Sequence, residues 1–110
     1  MTATLSDYVF GFIALADPTL APRYQRLAKA LYLLKDHPDL ESALKPLDFV
    51  VCNGNVHSIR LEQMLFVPGA HINPVALGQE VLRKASAKER ALIERMKEEY
   101  GNGISTKSIR

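Results

Sequence analysis

A segment near the start of the chain, Leu5 to Ala16, is apolar on nearly every side of the helix that its spacing predicts. Apolar residues recur there at helical intervals, and Phe10, Ala14 and Leu15 lie off the main stripe. A small protein cannot easily leave such a helix on its surface, because a large exposed apolar patch promotes association. We therefore expect this helix to be central to the core or part of an interface.

The whole chain of 110 residues is the length of one domain, so this segment and any functional site share a single hydrophobic core. A content of 47% hydrophobic and 24% charged residues is that of a folded globular domain. We expect one compact domain over residues 1–100. Residues 101–110 are predicted to form a flexible C-terminal tail, because they have too little apolar content to fold alone.

Helical spacing predicts two more helices in the first half of the chain. Apolar residues recur at helical intervals from Tyr24 to Leu34, between Pro22 and the stop "DHPD". The stretch "DLESALKP" predicts a short third helix, for which Asp39 is a candidate N-terminal cap. Between these two helices, His37 is expected to bond the last free carbonyls of the second helix.

Further helices are predicted after Asn73, since a capping side chain followed by proline is a strong helix start. The segment over residues 75–100 is either one rod or two helices. Ser86 and Glu89 have the spacing of a capping box, which favours a new helix there, whereas the apolar residues keep nearly one helical phase across this point. Charges of both signs at helical spacing along this stretch are typical of a solvent-exposed face.

Between these helices the sequence "VVCNGNVHSIR" predicts a β-hairpin, because Asn53 and Gly54 tolerate the positive φ that a tight turn requires. A three-residue loop would place Cys52 and His57 on opposite faces, whereas a two-residue loop would change the pairing. The return arm has a second interpretation, a helix over residues 58–66 capped by its first residue. The predicted fold class is α+β, mainly α, with helices flanking a central β-hairpin, and the alternative is an all-α fold.

The candidates for chemistry are the single cysteine and two of the three histidines. A thiol attacks as the thiolate and needs a neighbouring base, and a metal needs three or four converging ligands. Cys52 with His57 or His71 could supply a nucleophile and its base, which is the hypothesis of a small enzyme. Neither a glycine-rich nucleotide loop nor paired cysteine spacing occurs. We therefore expect no catalytic residue, no metal site and no cofactor.

The predicted location is cytoplasmic. One cysteine cannot form an internal disulfide, which favours a reducing compartment. The longest apolar run, "YVFGFIALA", is less than half of the roughly 20 residues needed to span a bilayer, so we expect no membrane association.

The second helix carries the strongest signal for a partner. Three cations lie along it at a spacing of three with no acid among them, and two apolar side chains flank them. The formal charge of the whole chain is only +2, so attraction to an acidic partner must come from such a local cluster. The last helix adds a narrow apolar stripe, of the kind that packs against a partner helix. The predicted partner-binding residues are Arg23, Arg26, Lys29, Tyr32, Leu33, Leu92, Met96 and Tyr100.

These surfaces favour a small non-enzymatic interaction or regulatory protein that acts through its helices, as a homodimer or as an adaptor for a protein partner. A nucleic-acid-binding regulator is the alternative, since three helices followed by an Asn-Gly hairpin are similar in order to a winged helix. The helix that would enter the DNA groove contains Asp39 and Glu41 and offers only Lys45 to phosphates, which disfavours that role. Nucleic acid is therefore the second class of partner.

Overall fold

The computed structural model describes residues 4–69 and 71–102. Within these ranges the chain forms six α-helices, one short 3₁₀ helix and one two-stranded antiparallel sheet, which confirms the predicted α+β, mainly α fold class. Residues 103–110 lie outside the described ranges, so the predicted boundary between domain and tail stays a prediction. In chain order the elements are α1 (Leu5–Ala16), the 3₁₀ helix (Pro18–Leu20), α2 (Tyr24–Leu34), α3 (Glu41–Leu44), β1 (Val50–Cys52), β2 (Asn55–His57), α4 (Ile59–Leu65), α5 (Pro74–Lys84) and α6 (Ala87–Gly101).

Helix α1 lies in the core, the first of the two places predicted for it, and packs against α5 and α6. Its start is fixed by a capping box, in which the Thr4 hydroxyl accepts from the Asp7 N–H and the Asp7 carboxylate accepts from the Thr4 N–H. The same core takes side chains from α2, α3, α4 and α6. An all-round apolar helix is thus buried by neighbours on several sides.

The contact between α1 and α5 requires a glycine. A Cβ atom at Gly78 would lie 2.0 Å from the carbonyl oxygen of Phe10 and 2.7 Å from the Cβ of Ala14. Only hydrogen fits between backbones this close, so Gly78 sets the distance between the two helices.

The segment over residues 75–100 contains two helices. The Ser86 hydroxyl accepts from the Glu89 N–H at 3.2 Å and the Glu89 carboxylate accepts from the Ser86 N–H at 2.9 Å, which confirms the predicted capping box. Asn73 caps α5 as predicted, through the N–H of Ala76 at 3.1 Å. The sequence predicted that this segment ends at residue 100, and the structure places its last helical residue at Gly101, one residue later.

The short third helix is present, but its predicted cap is wrong. Leu40 holds the N-cap position and makes no side-chain cap bond, since burial of its side chain in the core draws this residue inward. The carboxylate of Asp39 instead lies 3.5 Å from the Arg95 guanidinium. The prediction for His37 is also wrong, because its Nδ1 accepts from the Asp39 N–H at 3.2 Å, and within the described ranges its ring bonds no carbonyl.

The hairpin has a two-residue loop, so the three-residue pairing considered from the sequence is wrong. Asn53 and Gly54 have φ values of 51° and 79°, as a tight primed turn requires. The register pairs Val50 with His57 and Cys52 with Asn55. Since opposed residues share a face, Cys52 and His57 lie on the same exposed face of the hairpin.

The return arm is short and gives way to helix α4. The Ser58 hydroxyl accepts from the Leu61 N–H at 3.2 Å and so caps α4, as the second interpretation of this arm predicted. Strand and helix therefore both exist within a few residues, and the all-α alternative is wrong.

Helix α2 holds the hairpin by two polar side chains. The Gln25 amide donates to the Val56 carbonyl at 2.8 Å and accepts from the Val56 N–H at 3.1 Å. The Tyr24 hydroxyl accepts from the Ser58 N–H at 2.8 Å and lies 3.3 Å from the Ser58 carbonyl. Backbone groups that α2 bonds in this way must point away from β1, which fixes the outer edge of β2 against the helix.

Candidate protein-interaction surfaces

The three cations predicted to bind a partner form the basic edge of α2, which is defined by Arg23, Arg26 and Lys29. Arg23 and Arg26 are exposed and Lys29 is half-buried. Within residues 4–69 and 71–102, none of the three has a carboxylate within ion-pair distance. Helix α2 contains no acid that could neutralise them. The basic edge therefore presents positive charge that no ion pair in the described ranges neutralises.

Asp17, at the end of α1, is an acid whose pKa the charge of Arg26 affects. A hydrogen bond from Thr19 lowers the pKa of Asp17, and the Tyr100 hydroxyl and the charge of Arg26 act in the same direction. The Tyr100 hydroxyl donates to Asp17 Oδ2 at 3.0 Å, which ties the end of α6 to the end of α1. Asp17 is thus engaged by other groups and does not form an ion pair with Arg26.

Arg23 holds an unfavourable position for a cation. It is the N-cap residue of α2 and makes no side-chain cap bond, and no acid lies in the first turn. Unbonded N–H groups give a helix N-terminus a partial positive charge, so a cation there is electrostatically unfavourable. Helix stability does not account for this arginine.

Tyr32 and Leu33, the predicted apolar flank of the basic edge, are both half-buried. The Tyr32 ring packs edge to face on Phe49, with centroids 5.5 Å apart, and Lys35 Nζ lies 4.7 Å from the Tyr32 centroid. Leu33 packs against the core. Each of these two side chains packs within the protein and keeps part of its surface exposed to solvent.

The predicted stripe on α6 faces inward. Met96 has no exposed surface, and Leu92 and Tyr100 are half-buried against the core. The Tyr100 ring packs edge to face on Phe12 with centroids 5.5 Å apart, and burial raises the Tyr100 pKa. A partner role for these three residues stays a prediction, and Met96 has no surface to offer in this conformation.

The charged residues of α5 and α6 are largely paired with one another. Glu80 contacts Arg83 and Lys84, and Arg90 contacts Glu94 at 3.3 Å. Further along α6, Arg95 lies near Asp39, Glu98 and Glu99. Apart from the contact with Asp39, these pairs have the spacings that the sequence predicted for a solvent-exposed helical face.

Cys52 and the histidines do not form an activated site. The Cys52 side chain is exposed and makes no hydrogen bond to any residue in the described ranges. His57 shares its face but packs beside the Tyr24 ring, with centroids 6.3 Å apart, and His71 lies in the loop before α5. No group of three His, Cys, Asp or Glu side chains in the described part of the chain could hold a metal ion. The small-enzyme hypothesis gains no support from this geometry.

A groove that the sequence analysis missed lies between the start of α1, helix α4 and helix α5. Its volume is about 530 Å³, and apolar side chains line most of it. Val67 and Leu77 at its margin and Phe66 beside it are large apolar residues with 42–61% of their surface exposed. The run "FVPG" over residues 66–69 was the signal in the sequence, because it begins with two large apolar residues and yet lies outside the helices.

No helix within the described ranges is both long and apolar enough to cross a lipid bilayer. Comparisons of the chain with protein-family models, with curated proteins and with solved structures find no match. A functional proposal therefore rests on the surfaces described above.

Proposed function

We propose that this chain is a small non-enzymatic interaction protein that binds the acidic face of a protein partner through the basic edge of α2. The observation that carries the proposal is the absence of ion-pair partners for Arg23, Arg26 and Lys29 in the described part of the chain. Lys88 and Lys97 of α6 also lie outside any ion pair in the described ranges, but acids of their own helix lie near them, whereas α2 contains no acid at all.

The mechanism is electrostatic steering followed by burial of apolar surface. Three uncompensated cations at helical spacing raise the rate of encounter with a negative surface, and this effect weakens as salt screens the charges. The remaining surface of Tyr32 and Leu33 lies further along the same helix and supplies apolar contact once the partner is oriented. Arginine suits this role because its guanidinium forms two parallel hydrogen bonds to a carboxylate.

A basic edge also attracts phosphate, so nucleic acid is the competing partner. Helix α3, which would enter a DNA groove in a winged-helix arrangement, is only four residues long and begins with Glu41. A helix of one turn with an acid at its start cannot place several side chains on base edges. The observed helices therefore favour a protein partner over sequence-specific DNA binding.

The experiment is affinity capture of the tagged chain from a lysate of its source, with and without nuclease, followed by mass spectrometry. The wild type is compared with the charge reversal Arg23→Glu/Arg26→Glu. We expect acidic partners that survive nuclease, are lost from the double variant and elute with added salt. Partners that vanish with nuclease would favour phosphate binding, and partners unaffected by the reversal would contradict the proposal.

The matched control is Lys88→Glu/Lys97→Glu on α6. Both lysines are exposed and outside any ion pair in the described ranges, and the double change lowers the formal charge by the same amount. Capture by this control should equal that of the wild type. An equal loss in both variants would mean that only net charge matters and not the basic edge.

A further inference from the structure

The two strands of the hairpin have different outer edges. On β2, both outward backbone groups of Val56 are bonded by Gln25. On β1, no hydrogen bond from residues 4–69 or 71–102 reaches the backbone N–H or C=O of Val51, or those of the preceding Phe49. Alternate residues of a strand point their backbone groups to the same side, so these groups form one open edge. An open edge is a template for another strand.

Apart from its short length of three residues, strand β1 lacks the features that usually protect an edge. Edge strands are commonly shielded by charged side chains, prolines or bulges, and the stretch "FVVC" over residues 49–52 contains none of these. Val50 is in addition 64% exposed on the outer face of the hairpin. A strand that covered this edge would bond the open backbone groups of Phe49 and Val51 and would also bury the Val50 side chain.

We propose that a second copy of this chain pairs antiparallel with the open edge of β1, about a twofold axis at Val50, so that two hairpins form one four-stranded sheet. In this register Val50 lies directly opposite the partner subunit's Val50. The outward groups of Phe49 and Val51 bond those of the other chain on either side of the axis. Residues 49–52 carry no charge, so the ladder brings no like charges together.

The uncharged stretch over residues 49–52 can pair with itself, and the occupied edge of β2 decides how two copies can pair. A copy that placed its β1 on the next copy's β2 would start an open-ended array, and Gln25 already fills that edge. Pairing of β1 with β1 is the arrangement left open, and it closes at two subunits. Each chain contributes only a short stretch, so the dimer is expected to be weak.

The first test is the mass of the chain by sedimentation equilibrium from micromolar to millimolar concentration. We expect a rise from one chain to two. Val50→Lys sets like charges directly opposite each other across the axis, and it should raise the dissociation constant by about tenfold or more. Val50→Thr keeps the β-branched shape without charge and is the matched control. A monomer throughout the range, or a dimer equally strong in Val50→Lys, overturns the proposal.

The second test is disulfide trapping, which needs no quantitative affinity. Val50→Cys in a Cys52→Ser background places two thiols across the axis, where opposed Cα atoms lie about 4.5 Å apart, within disulfide range. Asn55→Cys in the same background is the control on the same face of β2, about three strand spacings across the sheet and about four residues along it, or roughly 19 Å, from its equivalent. Rapid linkage of the first variant alone supports the register. Equal linkage of both, or linkage of the control alone, overturns it.

The dimer and the proposed function can fail separately. Residues 49–52 do not include any of the three cations of the basic edge, so Arg23→Glu/Arg26→Glu should leave the dimer intact. Loss of the dimer in this variant would contradict the assignment of self-association to β1.

Discussion

Helices α2 and α6 both carry several cations, yet they begin in opposite ways. α6 starts with the Ser86 capping box and has Glu89 in its first turn, whereas α2 starts at Arg23 with neither a cap bond nor an acid. Capping groups and acids stabilise a helix N-terminus and a cation opposes it. The start of α6 thus serves the stability of the fold, and the start of α2 does not.

The same contrast holds along the two helices. On α6, Arg90 and Arg95 contact acids of their own helix, which supports helicity and solubility. On α2, the arginines have no such acid within the described ranges. Residues that work against local stability are typical of surfaces whose role is binding. Cations on the two helices therefore have different roles, according to whether an acid lies within one helical turn of them.

The largest expected effect separates the buried face of α2 from its basic edge. Leu31 has no exposed surface, so Leu31→Ala should lower the free energy of unfolding by about 3 kcal/mol through lost burial and a cavity. Arg26→Ala should change it by less than about 0.5 kcal/mol. Urea unfolding of both variants checks this. A loss above about 1 kcal/mol in the free energy of unfolding for Arg26→Ala would mean that the basic edge supports the fold, contrary to the contrast drawn between α2 and α6.

The next effect concerns the start of α6. Ser86→Ala removes the hydroxyl that accepts from the Glu89 N–H, and we expect a loss of about 1 kcal/mol in the free energy of unfolding. Ser42→Ala, at an exposed position inside α3, is the control and should change it by less than about 0.5 kcal/mol. Equal small changes in both would show that the cap contributes little.

The start of α2 should respond in the opposite sense. Arg23→Asp supplies the missing cap acceptor and reverses the unfavourable charge, so we expect a gain of about 0.5 to 1 kcal/mol in the free energy of unfolding. The same change should weaken capture of the acidic partner. Arg23→Ala removes the cation without adding a cap. Its free energy of unfolding should lie between those of the wild type and Arg23→Asp. A destabilised Arg23→Asp would show that Arg23 supports the fold.

The smallest effect is the pH dependence of the α5 ion pairs. Hydrogen bonds from Arg83 and Lys84 lower the pKa of Glu80 from its ordinary 4.5 to about 2. Because the folded pKa is depressed, the stabilisation is present above pH 4.5 and is lost as the pH falls through about 2. These side chains are exposed, so the effect on unfolding should be small and vanish in high salt.

Carboxyl-carbon NMR titration checks this prediction directly. In Arg83→Ala/Lys84→Ala the pKa of Glu80 should return towards 4.5. A pKa that stays near 2 in this double variant would mean that other groups hold the charge.

The sequence predicted best those features that a few neighbouring residues decide. The caps at Ser86 and Asn73 form bonds within three residues, so their spacing alone identifies them. The order of the three early helices and the hairpin follows equally from local periodicity and from the Asn53-Gly54 turn.

Features that depend on distant parts of the chain were missed. The edge of the hairpin that faces α2 is fixed by Gln25, 31 residues before Val56, and nothing near the turn shows this bond. Asp39 lost its predicted cap because burial in the core draws Leu40 into the N-cap position. The apolar groove is built from segments far apart in sequence, so no single stretch could reveal it. Contacts between residues far apart in the sequence account for each of these misses.

The position of α1 has a consequence for synthesis on the ribosome. It packs against α5 and α6, which are the last helices of the described chain. The aromatic contact of Phe12 with Tyr100 can therefore form only after residue 100 has been synthesised. At the usual translation rate of about 5–20 residues per second, several seconds separate the emergence of the two rings. For that interval the side of α1 that packs on α6 lacks its native neighbour, although the earlier helices that share its core have been made. We therefore expect this side of α1 to stay uncovered until α6 has been made.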